Sequence, residues 1–137
     1  MGLRLIITLL IMSCQLFAEE TPESVLTIDS RVDRNLSTAF LNDKNIRPMR
    51  SDFKIVNYLL MSSESGERWA TVTVENTSTG NRTLEKEHIY ALFADGKRRS
   101  PVKLKQLFQG LQVITLTLYF GDNKFPIISL YGRNSGN

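Results

Sequence analysis

The chain has 137 residues, of which 42% are hydrophobic and 23% are charged, and its formal net charge is +3. This length fits one domain, and the balance of apolar and charged residues excludes a chain that is disordered throughout. The small charge excess argues against a nucleic-acid partner, because nucleic-acid-binding proteins concentrate many more Lys and Arg side chains on one face.

The N-terminal region has the order of a secretory signal peptide over residues 1–18. Arg4 precedes an apolar run over residues 5–12, and Ala18 supplies a small residue at the cleavage position. The apolar run is shorter than the roughly 20 residues that a helix needs to span a bilayer. The sequence therefore predicts export, with a periplasmic or secreted product.

Cys14 leaves a second processing route open. Residues 11–14 resemble a lipobox, in which the cysteine would be lipidated and would become the first residue of the mature protein. Cleavage after Ala18 predicts a free exported protein, whereas cleavage before Cys14 predicts a lipid-anchored protein of the envelope. Beyond position 14 the sequence contains no cysteine, so the domain must be stable without a disulfide.

Residues 19–24 are polar and are interpreted as a flexible leader, after which residues 25–29 predict a short strand. Ser30 then caps one short predicted helix. Apolar residues recur at helical spacing along it and form one face, which consists of Val32, Leu36, Ala39 and Phe40.

From Phe53 onwards the hydrophobic period changes to two, the period of a β-strand. The pattern predicts strands at residues 53–61, 69–75, 88–94, 101–104, 114–120 and 125–131, and leaves residues 106–112 unassigned. With residues 25–29 this makes about seven strands, separated by turn signals at the spacing typical of a β-sandwich. We expect a single mostly β domain over residues 25–131 and a frayed tail over residues 132–137.

Part of this pattern resembles a known family. Residues 72–78 form a strand that ends in Asn and small polar residues, Leu84 follows, residues 91–96 end in Asp-Gly, and Pro101 precedes the amphipathic residues 116–120. In this order they resemble exported immunoglobulin-like domains of the telokin-like kind. The resemblance implies an immunoglobulin-like antiparallel β-sandwich in an extracytoplasmic setting and implies no particular activity.

The sequence shows no arrangement typical of an enzyme. His88 is the single histidine, it is predicted at the start of a strand, and no Gly-x-Ser-x-Gly motif accompanies it. Zinc sites need several His or Cys ligands, and the sequence contains neither a phosphate-binding loop nor a dinucleotide fingerprint. We therefore expect no enzymatic activity, no cofactor and no metal.

The most distinctive feature is a basic run that contains no acidic residue and consists of Lys97, Arg98, Arg99, Lys103 and Lys105. One interpretation is a patch for an anionic partner, such as lipid headgroups, an envelope polysaccharide or an acidic protein surface. The other is a solvated strand edge, where Lys discourages edge-to-edge aggregation. Trp69 is a further candidate, either as an exposed aromatic platform or as a residue that packs against the sheet.

These features predict a non-catalytic exported binding or assembly module of the bacterial cell envelope, which acts through a strand edge and the basic loop. The expected partner is another envelope protein or an anionic envelope polymer, and the membrane is contacted only if Cys14 is lipidated. Two alternatives stay open: a structural subunit of a surface appendage or secretion apparatus, and a small glycan-acting enzyme that uses scattered carboxylates.

Overall fold

The computed structural model describes residues 24–29, 40 and 46–136. Within these ranges the chain is mostly β, and the one helical element is a 3-10 turn at Lys86–His88. The strands are β1 (Leu26–Ile28), β2 (Arg50–Ser51), β3 (Phe53–Ser63), β4 (Glu67–Asn76), β5 (Arg82–Glu85), β6 (Ile89–Phe93), β7 (Arg98–Arg99), β8 (Lys105–Phe108), β9 (Val113–Asp122) and β10 (Ile127–Asn134).

The strands form three sheets. The first sheet has the order β1-β3-β4-β9, the second sheet has the order β2-β10-β6-β7, and β5 pairs with β8 in a small sheet. All pairings are antiparallel except the short parallel contact between β2 and β10. The prediction of a mostly β, antiparallel chain is therefore confirmed.

A single hydrophobic cluster collects side chains from all three sheets. In β4 the predicted alternation is confirmed, because Ala70, Val72 and Val74 are completely buried. Burying a valine side chain such as that of Val72 stabilises the fold by roughly 1.5–3 kcal/mol, and no sheet can bury its apolar face alone. This shared core is compatible with a β-sandwich, and its largest fully buried side chains are Phe93, Phe108, Phe120, Leu84, Ile89 and Ile127.

The short strands differ most from the predictions. The sequence predicts a return strand at residues 101–104, but the return after Asp95-Gly96 is the two-residue β7. The prediction is wrong because Pro101 has no N–H to donate and the chain there leaves β6 to reach the small sheet. The small sheet supplies two strands that the sequence does not predict, and β2 is a third, so the described total is ten.

Both ends of the chain also bear on the predictions. β10 continues through Asn134, beyond residue 131, because Arg133 and Asn134 pair with β2. The signal peptide over residues 1–18, Cys14 and nearly all of the helix that is predicted to begin at Ser30 lie outside the described residues. From that helix only Phe40 is described, and its ring packs on Gly96.

At the end of β4 the alternation places a polar residue in the core. Asn76 is completely buried, and its Nδ2 donates to the carbonyl oxygens of Gly80 at 2.9 Å and Gln109 at 2.8 Å. Its Oδ1 accepts a hydrogen bond from the backbone N–H of Ser78 at 3.0 Å. Buried polar groups stabilise a fold only when they are paired in this way. Asn76 therefore ties the loop after β4 to the turn before β9.

The same two segments approach each other closely at Gly110. A β-carbon at this position would lie 2.0 Å from the carbonyl oxygen of Thr79, so only glycine fits there. The backbone N–H of Leu111 donates to the carbonyl of Ser78 at 2.8 Å and completes the junction.

We predict that Asn76→Ala lowers the free energy of unfolding by about 2–4 kcal/mol, because it leaves buried backbone groups without partners. Asn76→Asp should cost more, since it places an acceptor where two carbonyl oxygens need a donor. Urea denaturation measures both changes. The control is Asn81→Ala in the same loop, at an exposed position, which should change stability by less than about 0.5 kcal/mol. Equal unfolding midpoints for the variants at 76 and 81 would contradict the assignment.

Candidate functional site

The face of the first sheet that lies opposite the core carries an aromatic pair. Trp69 on β4 is the register partner of Tyr119 on β9, and their ring centroids are 4.6 Å apart with an interplanar angle of 32°. Trp69 is half-buried, and its indole N–H has no hydrogen-bond partner among the described residues. Packing against Tyr119 therefore holds the indole, and a fully exposed platform is not formed.

Two pairs of threonines continue this face along the same strands. The hydroxyl oxygens of Thr71 and Thr117 are 3.3 Å apart, and those of Thr73 and Thr115 are 2.9 Å apart. Such close side chains are typical of antiparallel pairs that do not exchange backbone hydrogen bonds, because these pairs have the shorter Cα separation. The side chains thus indicate that the backbone groups of Thr115 and Thr117 do not face β4.

The backbone contacts of β9 lead to the same conclusion. The carbonyl of Tyr119 accepts a hydrogen bond at 2.8 Å from the N–H of Val102, which lies outside the ladder with β4. Successive residues of a strand direct their N–H and C=O groups to opposite sides, so Val113, Thr115 and Thr117 share the direction of Tyr119. Across the part of the chain that the structure describes, no strand pairs with this side of β9. The side of β9 that faces away from β4 is therefore an open edge over residues 113–117.

This open edge lacks the features that usually protect a sheet edge. Natural edges carry Lys, Pro, bulges or covering segments, whereas residues 113–118 contain no charge and no Pro. The register with β4 is also unbroken from Val113 to Tyr119. The core-facing Ile114 and Leu116 stay partly exposed, although their register partners on β4 are fully buried. The edge is thus regular, uncharged and partly exposed.

The basic run does not form one patch. Arg98 and Arg99 are adjacent in β7 and therefore point to opposite faces of the second sheet. The Arg98 guanidinium lies 5.9 Å from the ring centroid of Tyr131, and the Arg99 guanidinium lies 5.6 Å from that of Phe93. Lys97 is mostly exposed, with its Nζ 3.8 Å from the carboxylate of Asp95.

The other two lysines lie further along the chain. Lys105 begins β8, exposed and opposite Glu85 in the small sheet. Lys103 is exposed in the segment between β7 and β8, next to the residue that bonds to Tyr119. Because Arg99 Nη1 also donates to the carbonyl of Asp122 at 3.4 Å, the segment over residues 99–103 runs beside the end of β9 that carries the aromatic pair. The role of these cations in binding stays a prediction.

His88 has a structural setting. It ends the 3-10 turn that precedes β6, and its Nδ1 accepts a hydrogen bond from the N–H of Glu85 at 3.0 Å. Its ring centroid lies 5.8 Å from that of Phe53. The contacts of His88 thus serve the turn and the edge of the core.

Tyr119 and Asp122 interact at the end of β9. The Tyr119 hydroxyl donates to the Asp122 carboxylate at 2.6 Å. This hydrogen bond, desolvation and the negative charges of Asp122 and Glu67 together raise the pKa of Tyr119 from 10.0 to about 12. A protonated Tyr119 therefore holds the side chain of Asp122 in place, and the backbone carbonyl of Asp122 accepts the hydrogen bond from Arg99.

Comparisons of the chain with protein-family models, curated proteins and solved structures find no match. Within residues 24–29, 40 and 46–136, no group of three His, Cys, Asp or Glu side chains is placed to hold a metal ion. The same residues include no helix with the length and apolar character needed to cross a membrane. The geometry of the described surface is therefore the basis for assigning a function.

We predict that Asp122→Asn lowers the pKa of Tyr119 from about 12 toward 10, because the carboxylate that accepts the phenol hydrogen bond is lost. The phenolate absorbance recorded against pH measures this change, with Tyr119→Phe to identify the titration step and Asp95→Asn as the matched carboxylate control. Since the pKa is raised by folding, the contribution to stability is complete below pH 10 and is lost as the pH rises through about 12. An unchanged titration in Asp122→Asn would contradict the assigned cause.

Proposed function

We propose that the protein is a non-catalytic exported binding or assembly module of the bacterial cell envelope, which binds by adding a strand of its partner to β9. The observation that carries this proposal is the open edge over residues 113–117. In strand addition, the main-chain hydrogen bonds supply affinity and the alternating side chains supply specificity.

The proposal includes the architecture and location of the domain. An immunoglobulin-like β-sandwich is supported by the antiparallel pairing and by the hydrophobic cluster that all three sheets share. A periplasmic or secreted location is supported by the signal-peptide order of residues 1–18, and the lipidation of Cys14 would convert the free form into an anchored one.

The open edge favours a polypeptide partner over an anionic polymer. Only a polypeptide offers N–H and C=O groups at the repeat of a β-strand, and the edge itself carries no positive charge. Lys103 and the Trp69–Tyr119 pair border the end of this edge, so a strand bound over residues 113–117 ends beside them. Another envelope protein is therefore the partner that fits this surface.

A proline at position 115 tests the proposal. Thr115→Pro removes an N–H that faces away from β4, so the ladder within the sheet is kept while the open edge loses its central donor. Thr115→Val is the matched control, because it keeps the N–H and removes only the hydroxyl that pairs with Thr73.

We expect Thr115→Pro to weaken partner capture about tenfold or more, and Thr115→Val to retain it. The measurement is chemical cross-linking in the envelope fraction, followed by purification of the tagged protein and quantification of the cross-linked species. Circular dichroism and urea unfolding verify that both variants are folded. Equal capture by the folded Pro and Val variants would show that the open edge is not the binding surface.

A further inference from the structure

We infer that the strand added to β9 belongs to a second copy of this chain. The inference rests on the proposed function, because it names the partner of the same open edge. Two molecules related by a two-fold axis would pair their β9 strands antiparallel, with Thr115 at the axis. The two four-stranded first sheets would then join into one continuous sheet of eight strands.

The register follows from the length of the open edge. Three residues direct their backbone groups outward, and centring on Thr115 places Val113 of each copy opposite Thr117 of the second copy. Each copy then supplies three N–H donors and three C=O acceptors, which gives about six hydrogen bonds. A shift of two residues in either direction leaves outward groups unpaired. The open edge is thus complementary to itself in one register.

The side chains along the edge are also self-complementary. In this register, Ile114 lies opposite Leu116 of the second copy on the core-facing side, and both are apolar and partly exposed in the single chain. On the other face, Thr115 lies opposite its own counterpart. Because residues 113–118 contain no charge, no like charges meet across the axis. A two-fold interface requires this property, since each patch must bind its own copy.

Leu111 and Val102 mark the two ends of the open edge. Leu111 is 58% exposed and has a φ of 59°, a left-handed conformation that leucine rarely adopts. Val102 is 55% exposed and bonds to the carbonyl of Tyr119 at the other end. β9 begins at Val113 and Leu111 lies in the turn before it, so the pairing centred on Thr115 ends at Val113 of one copy and Thr117 of the other. It therefore stops before the carbonyl of Tyr119, which already accepts a hydrogen bond from Val102.

Cysteine cross-linking tests the register directly. In the full chain with Cys14→Ser, each introduced cysteine is the only one. Thr115→Cys should form a disulfide-linked dimer under mild oxidation, because the Cα atoms of such a pair are about 5.5 Å apart, within the range that disulfides span. Val113→Cys alone and Thr117→Cys alone should not, since each would be roughly 13 Å from its own counterpart. An equimolar mixture of these two variants should form the mixed dimer.

Sedimentation provides the second measurement. Wild type and Thr115→Val should show a concentration-dependent dimer, and Thr115→Pro should stay monomeric. The inference is overturned if Thr115→Cys cross-links no more than the exposed control Asn81→Cys, or if Val113→Cys forms dimers by itself. If the Cys variants fail to cross-link while Thr115→Pro still abolishes capture of another envelope protein, self-pairing is wrong and the proposed function stands. If Thr115→Pro changes neither sedimentation nor capture, both proposals fail.

Discussion

β4 and β9 pair without a register shift, from the pair Glu75–Val113 to the pair Trp69–Tyr119. This regular pairing divides the residues of both strands into two sets according to the face of the sheet on which their side chains lie. One set points into the core and is led by the fully buried Val72 and Val74. The other set lies on the opposite face. Along a strand, successive side chains point to opposite faces of the sheet, and successive N–H and C=O groups point to opposite neighbouring strands. On β9, residues that share a side-chain face therefore also share the direction of their N–H and C=O groups. The residues with exposed side chains are therefore the ones whose N–H and C=O groups lie at the open edge.

Both ends of this edge are closed by contacts that come from distant parts of the sequence. At one end, buried Asn76 joins the loop after β4 to the turn that precedes β9. At the other end, the N–H of Val102 donates a hydrogen bond to the carbonyl of Tyr119, and the guanidinium of Arg99 donates one to the carbonyl of Asp122. The open length is consequently short and well bounded, so a strand that adds there meets a defined register rather than a surface along which it can slip.

A regular, uncharged edge favours aggregation unless something occupies it, because its unpaired backbone groups can pair with further strands. Pairing about a two-fold axis removes this hazard, because the β9 edge of each copy is covered by the β9 edge of the second copy. On the opposite side of the first sheet, the three-residue β1 covers β3 only at residues 61–63. The remaining length of β3 carries Lys54 and a register shift between Ile55 and Asn57, which are features that protect a sheet edge. The architecture thus favours a closed pair over a fibre.

The long strands were predictable from the sequence, because their two-residue period reports directly which side chains are buried, as at Ala70 and Leu118. Short strands such as β5 and β8 carry too few residues to show a period, and they form only because Leu84 and Phe108 are buried in a core built by distant segments. The sequence also showed a basic run. Only the structure showed that its side chains are separated, because Arg98 and Arg99 pack on aromatic rings at opposite faces of the second sheet. That β9 is an edge was decided only in three dimensions, since β8 pairs with β5 and leaves β9 one neighbour. Local patterns determine whether a segment is a strand, whereas its neighbours depend on contacts between residues that are far apart in the chain.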